Sequence, residues 1–374
     1  MYLASLELRD FRRYEHASLA LGPGVTVVEG LNGAGKTTLL EAVGWVALGR
    51  SFRGVPDAAL VRSGAEEAIV RAVVDDSGRH QTLDAALRAT GRNRVLVNGH
   101  PLARTRDRVE LLRVTVFAPD DLALVKAGPA GRRDFLDDLL VVLAPRYEAA
   151  RADYERVLRH RNALLKGRAR GPDVATTLDV FDEQLARAGA EIVRGRLRLI
   201  ERLAPEIRRA YEHLAGRPAW IEGGYEADWA DDALDPDAGG RVGAIETVLR
   251  RALERTRPKE MERGVTLAGP HRDEWRLLLG GLDTRSHASQ GEQRCLALAL
   301  RLAGHAVCAQ TIDASPVLLL DDVFSELDDR RAAALAETLP PGQTLVTTAS
   351  PLPSGIVPEQ RLRVDAGAVA GVPG

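Results

Sequence analysis

Eight consecutive residues near the start of the chain have the composition of a phosphate-binding loop. Residues 30–37 read Gly-Leu-Asn-Gly-Ala-Gly-Lys-Thr, which is the pattern G-x-x-x-x-G-K-[ST]. Glycines in such a loop let backbone N–H groups turn towards phosphates, and a helix that begins there adds partial positive charge. Lys36 would reach the β- and γ-phosphates as a compact charge, and the Thr37 hydroxyl would bind Mg²⁺. The alternative is a glycine loop that only turns the chain. The predicted nucleotide-binding residues are Gly30, Leu31, Asn32, Gly33, Ala34, Gly35, Lys36, Thr37 and Thr38.

Two adjacent carboxylates form a second candidate site much further along the chain. The apolar run 317–320 ends in Asp321 and Asp322. Asp321 would hold the Mg²⁺ shell, and Asp322 could act as general base towards an attacking water. Alone, two acids after an apolar run could merely end a strand. Together with the phosphate loop they predict nucleotide hydrolysis, with Lys36 and Asp322 as the catalytic residues.

The elements that position these residues can be read from the hydrophobic pattern. A β-branched run at 25–28 predicts a buried strand before the loop, and the spacing predicts a helix over 37–48. Between residues 131 and 257 the pattern changes to long helices. Two of them, before and after Gly171-Pro172, predict an antiparallel pair. An acidic segment over 226–238 is expected to be a solvated loop, and strand and helix signals return after Gly264.

Composition excludes several classes of protein. The net charge is -2, so nucleic-acid binding would need a local basic patch rather than bulk charge. Two cysteines cannot form a disulfide framework or a four-cysteine zinc site. No apolar run approaches the length of a membrane span, and charge comes too early for a signal peptide. We therefore expect a cytoplasmic protein without a membrane partner.

A short polar segment between the two candidate sites carries a third motif. Ser289, Gln290, Gly291 and Glu292 precede a predicted helix, and the simplest interpretation is a capping box. The segment also resembles the signature motif of the ABC ATPase superfamily, which contacts the γ-phosphate of ATP held by a second head. Ser325, Glu326, Leu327 and Asp328 resemble the D-loop of that superfamily. In this resemblance the phosphate loop is Walker A, the acidic pair is Walker B, and the ligands are ATP and Mg²⁺.

The number of residues between the phosphate loop and the signature segment indicates which family of ABC ATPases the chain resembles. Thr37 and Ser289 are 252 positions apart, which is too far for a transporter ATPase and too close for a chromosome-maintenance head. With a short helical insert, the chain resembles the RecF family of bacterial recombination mediators along nearly its whole length. The matching segments are 10–14 (DFRRY), 49–53 (GRSFR), 117–122 (FAPDDL), 132–137 (RRDFLD), 159–165 (RHRNALL) and 269–273 (GPHRD).

The resemblance implies an α/β fold with an inserted helical part. The N-terminal half of an ABC-type head, a P-loop fold with a mixed sheet, would span 1–125. A helical lobe with a short antiparallel arm would span 126–260, and the C-terminal half of the head 261–374. The implied function is a weak, DNA-stimulated ATPase in gap repair, DNA replication and the SOS response. It would dimerise on ATP around duplex, single-stranded or gapped DNA, and would act with RecR, and indirectly RecO, to load RecA.

Two departures from the wider ABC pattern affect the expected chemistry. The segment 119–121, where related heads have the glutamine loop, contains no Gln, so Asp120 or Asp121 could approach the metal instead. Thr347 and Thr348 lie where a switch His is usual, so one of their hydroxyls would have to sense the γ-phosphate. Asp322 is one methylene shorter than the Glu of transporters. The threonines at the switch position and the shorter Asp322 both favour slow turnover.

The DNA surface is predicted from charge. Residues 146–170 hold eight basic and three acidic side chains, a balance that suits phosphate-backbone binding, although a solvated helix face is the alternative. The predicted DNA contacts are Arg151, Arg159, Arg161 and Arg168. Two other classes of protein compete with this interpretation, although the insert over 126–260 and the matching segments speak against the first of them, a transporter subunit. A transporter subunit would co-purify with a membrane partner, and a small-molecule kinase would phosphorylate a metabolite.

Overall fold

The structure is a computed structural model, and the chain divides into two compact units. Unit 1 contains Met1–Leu122, Arg209–Pro218 and Arg294–Gly374; unit 2 contains Ala123–Arg208 and Ala219–Gln293. Residues 261–293 therefore belong to unit 2. The predicted division of the chain into the parts 1–125, 126–260 and 261–374 remains a prediction. The described residues are 1–102, 106–167, 172–230, 234, 242–312, 314–365 and 367–371.

The strands of the described residues, in chain order, are β1 (Tyr2–Phe11), β2 (Tyr14–Ala20), β3 (Val25–Glu29), β4 (Glu67–Asp76), β5 (Arg79–Arg88), β6 (Arg94–Val97), β7 (His100–Pro101), β8 (Val114–Phe117), β9 (Ile221–Glu226), β10 (Glu274–Leu279), β11 (Leu282–Asp283), β12 (Val317–Asp321), β13 (Thr344–Thr348), β14 (Gln360–Asp365) and β15 (Ala368–Gly371). The helices are α1 (Lys36–Leu48), α2 (Arg106–Leu111), α3 (Ala123–Lys126), α4 (Pro129–Leu143), α5 (Arg146–Lys166), α6 (Pro172–Ala215), α7 (Val242–Arg263), α8 (Thr284–His287), α9 (Gln290–Ile312) and α10 (Asp329–Glu337).

One six-stranded sheet of unit 1 carries the candidate catalytic residues. Its order is β15-β14-β3-β13-β12-β8, and every neighbouring pair is parallel except β14 with β15. Strands β12 and β13 are buried along their whole length, as expected for a parallel sheet covered on both faces. The ends of β3, β12 and β13 therefore meet at one edge, although their residues are far apart in the sequence.

The second sheet of unit 1 is antiparallel, with the order β2-β1-β4-β5-β6-β7. Helix α1 packs against strands of both sheets, and its Leu40, Val43 and Trp45 belong to the shared hydrophobic core. Burying such side chains is what holds the two sheets and the helix together. The predicted strand before the phosphate loop and the predicted helix after it are confirmed as β3 and α1.

Unit 2 is mainly helical. Helices α5, α6 and α7 share a core that includes Tyr154, Leu185 and Leu249, and a small antiparallel sheet has the order β11-β10-β9. Helix α6 continues through Pro205, which lies inside it. Most of the acidic segment predicted as a solvated loop, at 231–233 and 235–238, lies outside the described residues.

Helix α9 is the one described helix that is long and apolar enough to cross a membrane. Its most apolar 18-residue window has a mean hydropathy of 1.4, and 61% of that window is buried inside the structure. Core helices of soluble proteins pass the same test, so this helix is weak evidence for a membrane span.

Candidate nucleotide-binding site

The phosphate loop joins the end of β3 to the start of α1. Gly30 lies so close to β14 that a Cβ atom there would be 2.5 Å from the carbonyl oxygen of Val364. Gly35 has a φ of 121°, which L side chains rarely adopt, and the Tyr14 hydroxyl donates to its carbonyl at 3.1 Å. Both positions therefore require glycine for the loop to keep this path.

The Lys36 side chain is held within the loop. Its Nζ donates to the carbonyl oxygens of Gly30 at 2.8 Å and Leu31 at 3.0 Å, and the side chain is buried. The ammonium is therefore folded back over the loop that would surround the phosphates. This is the position from which a compact charge can reach a bound β- or γ-phosphate.

Thr37 and Asp321 meet although they are 284 positions apart in the sequence. The Thr37 hydroxyl donates to Asp321 Oδ1 at 2.8 Å, and Asp321 is only 4% exposed. Burial raises the pKa of Asp321 above its usual value, and the hydrogen bonds from Thr347 and Thr37 oppose that rise. A carboxylate and a hydroxyl in contact supply hard oxygen ligands, so the two residues fit Mg²⁺.

Asp322 has a strained backbone and a buried carboxylate oxygen. Its φ and ψ are 50° and 28°, in the left-handed region that is uncommon for residues other than glycine. Its N–H donates to the Thr347 hydroxyl at 2.9 Å, and its Oδ1 is buried without a hydrogen-bond partner among the described residues. A buried acceptor without a partner is costly in a folded protein, and such sites are typical of functional positions.

Three of the four residues expected to replace the glutamine loop and the switch His are bound to other residues of the protein. Asp121 pairs with Arg301 at 2.5 Å and accepts from the Ala118 N–H at 2.9 Å, whereas Asp120 is exposed. Thr347 donates to Asp321 Oδ1 at 2.8 Å. Thr348 donates to the Ser350 carbonyl at 2.7 Å. Asp121 and both threonines thus have protein partners.

The signature segment has the capping-box geometry. The Glu292 N–H donates to Ser289 Oγ at 3.3 Å, and Glu292 Oε2 accepts from the Ser289 N–H at 2.9 Å. Helix α9 begins at Gln290, and Ser289 and Gln290 are exposed while Gly291 is partly exposed. The helix start and its polar residues are therefore open to a ligand, and the capping interpretation is compatible with function.

The D-loop segment follows Asp322 directly. The Ser325 hydroxyl donates to the Asp322 carbonyl at 2.8 Å, and Asp328 caps α10 by accepting from the Arg331 N–H at 2.9 Å. Arg294 on α9 donates to the carbonyl of Glu326 at 3.1 Å. The intervening Leu327 is partly exposed. The segment is thus tied to the Walker B end of β12.

The four arginines predicted to contact DNA have different environments. Arg159 is exposed, whereas Arg151 pairs with Asp134, Asp138 and Glu155. Arg161 is fully buried, so its prediction as a DNA contact is wrong. Helical spacing placed a basic residue on α5 but could not tell which side of the helix faces the core. Arg168 lies outside the described residues.

A buried carboxylate that joins three segments of unit 1 was not predicted from the sequence. Glu41 on α1 accepts from Arg12 Nε at 3.1 Å and Arg12 Nη2 at 3.0 Å, and the Ser51 hydroxyl donates to it at 2.5 Å. Glu41 is fully buried. The signal for it in the sequence is the set of charged residues in the segments 10–14 and 49–53.

His271, in the matching segment 269–273, contacts Tyr154 and Thr266. Its Nδ1 lies 2.7 Å from the Tyr154 hydroxyl, and its Nε2 lies 3.3 Å from the Thr266 carbonyl. Burial lowers the pKa of His271 to about 4. Among the described residues there is no cluster of three or more His, Cys, Asp or Glu that could hold a metal ion.

The fold and this site define an ATPase head of the ABC class with a helical insertion. The model of the RecF/RecN/SMC N terminal domain family matches residues 2–350. A solved structure of an Smc head bound to the C-winged helix domain of ScpA has a TM-score of 0.57 at 15% identity, covering 100% of this chain and 97% of that one. At that identity the likeness concerns the fold alone.

Closer relatives define the family. A protein from Frankia alni named DNA replication and repair protein RecF is 46% identical over 355 residues, covering 94% of this chain and 93% of the relative. The RecF of Acidothermus cellulolyticus is 44% identical over 353 residues, covering 94% of both chains. A solved structure of the recombination mediator protein RecF with ATP has a TM-score of 0.90 at 29% identity, covering 100% of this chain and 98% of that one. The chain belongs to the RecF family, and the predicted resemblance is confirmed.

Proposed function

We propose that this chain is an ATP-switched DNA-binding protein of replication and repair. It binds ATP with Mg²⁺, dimerises on ATP and hydrolyses it slowly. The observation that carries the proposal is the hydrogen-bonded group formed by Thr37, Asp321, Asp322 and Thr347 at the edge of the sheet beside the phosphate loop. The relatives named DNA replication and repair proteins, and the RecF structure with ATP, support it.

The chemistry follows from the residues of this site. The loop N–H groups and Lys36 bind the phosphates, while Thr37 and Asp321 would hold Mg²⁺, which neutralises charge on the phosphoryl oxygens. Asp322 accepts a proton from the attacking water as the general base. Asp322 is short and the two switch-position threonines are bound to the protein, so turnover is slow. Slow turnover suits a switch better than a motor.

Dimerisation provides the second half of each site. The signature residues Ser289 to Glu292, of which Ser289 and Gln290 are exposed, contact the γ-phosphate held by the partner protomer. An exposed N-cap at a helix start is a suitable anion site, because its N–H groups and helix dipole favour negative charge. ATP would therefore act as the bridge between two copies.

The switch acts on DNA in the cytoplasm. The dimer clamps duplex, single-stranded and gapped DNA, hydrolyses ATP weakly under DNA stimulation, and assists RecR and RecO in loading RecA during gap repair and the SOS response. Solved relatives placed in the RecFOR pathway support this assignment. Arg151 and Arg159, both on helix α5, remain candidates for contacts with DNA phosphates.

Sedimentation with and without ATP and a gapped duplex tests the proposal. Wild type should sediment as a dimer only with ATP, and Lys36→Arg should stay monomeric because a guanidinium does not fit the compact site of the ammonium. Lys126→Arg, a change at an exposed position, is the control and should behave as wild type. An ATP-independent sedimentation profile in wild type would overturn the switch, and undiminished ATP binding by Lys36→Arg would overturn the assignment of the loop.

Salt dependence tests the DNA part separately. Replacing Arg151 and Arg159 by Ala should weaken DNA binding irrespective of sequence, and each lost phosphate contact should reduce the slope of log affinity against log salt by about 0.9 for duplex DNA. If neither the affinity nor the slope changes, DNA does not lie along helix α5.

A further inference from the structure

The hydroxyl of Thr347, at the end of β13, contacts both residues of the acidic pair at the end of β12. Thr347 Oγ1 donates to Asp321 Oδ1 at 2.8 Å and accepts from the Asp322 N–H at 2.9 Å. Thr347 is fully buried. The side chain of one residue thus contacts both Walker B acids, the one assigned to the metal and the one assigned to the attacking water.

The hydrogen-bonding capacity of this hydroxyl is almost used up. A threonine hydroxyl has one proton and two lone pairs. Its proton goes to Asp321, and one lone pair receives the Asp322 N–H. No proton remains for a phosphate oxygen while these bonds exist. With these bonds in place, the Thr347 hydroxyl cannot donate to the γ-phosphate as expected from the sequence.

Each of the two bonds fixes a feature on which hydrolysis depends. Asp321 Oδ1 accepts both the Thr37 and the Thr347 hydroxyls, so its carboxylate plane is fixed from two sides. The bond to the Asp322 N–H, together with a longer bond of 3.2 Å from the same N–H to the Thr347 carbonyl, holds Asp322 at a φ of 50°. That backbone conformation determines the direction of the Cα–Cβ bond of Asp322, and therefore the direction in which its carboxylate points.

We propose that Thr347 is a positioning residue that holds Asp321 and Asp322 in the relative orientation needed for hydrolysis. It couples the metal-holding carboxylate to the general base through one buried hydroxyl and does not bind the nucleotide itself. The proposal rests on the proposed ATPase function. It adds to that function a role for Thr347, the residue at the switch position on β13: Thr347 binds the two acids and not the γ-phosphate.

The neighbouring threonines of β13 provide matched controls. Thr344 lies on the same strand and is also buried, but it pairs with Leu318 on β12 and not with Asp321. Thr348 is next to Thr347, and its hydroxyl is bound to Ser350. Threonine to valine keeps the shape of the side chain and removes only the hydroxyl chemistry, so the three Val variants differ mainly in which hydrogen bonds are lost.

The experiment measures ATP affinity and single-turnover hydrolysis with saturating Mg²⁺ for wild type, Thr347→Val, Thr347→Ser, Thr344→Val and Thr348→Val. Thr347→Val should bind ATP within about threefold of wild type but hydrolyse it at least about tenfold more slowly, because a misplaced general base loses much of its contribution. Thr347→Ser keeps the hydroxyl and should restore most of the rate. Thr344→Val should match wild type.

A double variant distinguishes positioning from a loss of folding. If Thr347 acts through Asp322, adding Thr347→Val to Asp322→Asn should reduce hydrolysis little further, whereas a general loss of structure would reduce it in both backgrounds. The Ser variant and this double variant test the proposal even where Thr347→Val folds poorly. A wild-type rate in Thr347→Val, the same loss in Thr347→Ser, or a loss confined to Thr348→Val would each overturn it. Absence of hydrolysis in wild type would instead contradict the proposed function.

Discussion

The guanidinium of Arg161 is bound to the carboxylate of Asp182 in the interior of unit 2. Arg161 Nε donates to Asp182 Oδ1 at 2.6 Å, and the two side chains are 0% and 3% exposed. The other two nitrogens donate to Glu260 Oε2 at 2.7 Å and to the Thr266 hydroxyl at 2.9 Å. One arginine on α5 therefore joins α6, α7 and the segment that follows α7.

Arg161→Ala should destabilise the protein without changing DNA binding by the folded fraction. Removing one partner of a buried ion pair leaves uncompensated buried charge, here on Glu260, and costs about 3–5 kcal/mol, although Asp182 keeps its ion pair with Arg257. Urea unfolding measures this loss. The exposed Arg159→Ala is the matched control and should change the free energy of unfolding by no more than about 0.5 kcal/mol. If Arg161→Ala has unchanged stability and a reduced slope of log DNA affinity against log salt, Arg161 contacts DNA after all.

Ser289→Arg should bind ATP as wild type does but fail to dimerise. The bulky cation would occupy the exposed helix start that faces the partner's nucleotide in the proposed dimer. Light scattering with ATP gives the mass of the complex. Ser289→Ala is the control: it loses the cap, at a cost of about 1 kcal/mol, without adding bulk. Dimerisation of Ser289→Arg with wild-type affinity is the result that would falsify a role for this segment at the interface.

Asp322→Asn should retain ATP and Mg²⁺ but lose hydrolysis. Asp321 and Thr37 still supply the metal ligands, whereas an amide cannot accept the proton of the attacking water. Loss of a general base typically lowers the rate by about 10²–10⁴. The ATP-bound dimer should then persist over time in sedimentation. If Asp322→Asn hydrolyses ATP at the wild-type rate, another group orients the water.

Acidification should weaken unit 1 through His305. Its ring lies between the hydroxyls of Thr115 at 3.2 Å and Ser315 at 3.3 Å, and burial lowers the pKa of His305 to about 4. The unfolded chain, with an ordinary pKa of about 6.5, binds the proton first, so stability is full above about pH 6.5 and falls as the pH drops towards 4. The loss between pH 7 and 5 should be about 2 kcal/mol from this group.

His305→Gln should remove this part of the pH dependence. Urea unfolding at pH 7 and pH 5 measures the difference for wild type and variant. The exposed His16→Gln should keep the wild-type difference. An equal difference in His305→Gln and wild type would show that this ring titrates alike in the folded and unfolded chains.

Local chemistry was predictable from the sequence. The phosphate loop needs its glycines, lysine and threonine within eight residues, and the strand and helix on either side have distinct apolar periods, so β3, the loop and α1 could be predicted together. The Walker B acids were predictable for the same reason, since a fully apolar run before two carboxylates is typical of a buried parallel strand. The family followed from the order of such segments.

Only the tertiary structure decided which distant residues touch. The contact of Thr37 with Asp321 and the bonds of Thr347 depend on β12 and β13 being neighbours in the sheet, which no local pattern specifies. The burial of Arg161 and of Glu41 was likewise hidden, because a charge on a helix looks the same in the sequence whether solvent or an opposite charge faces it. Periodicity assigns a residue to one side of its own element, whereas burial and pairing depend on what packs against that side.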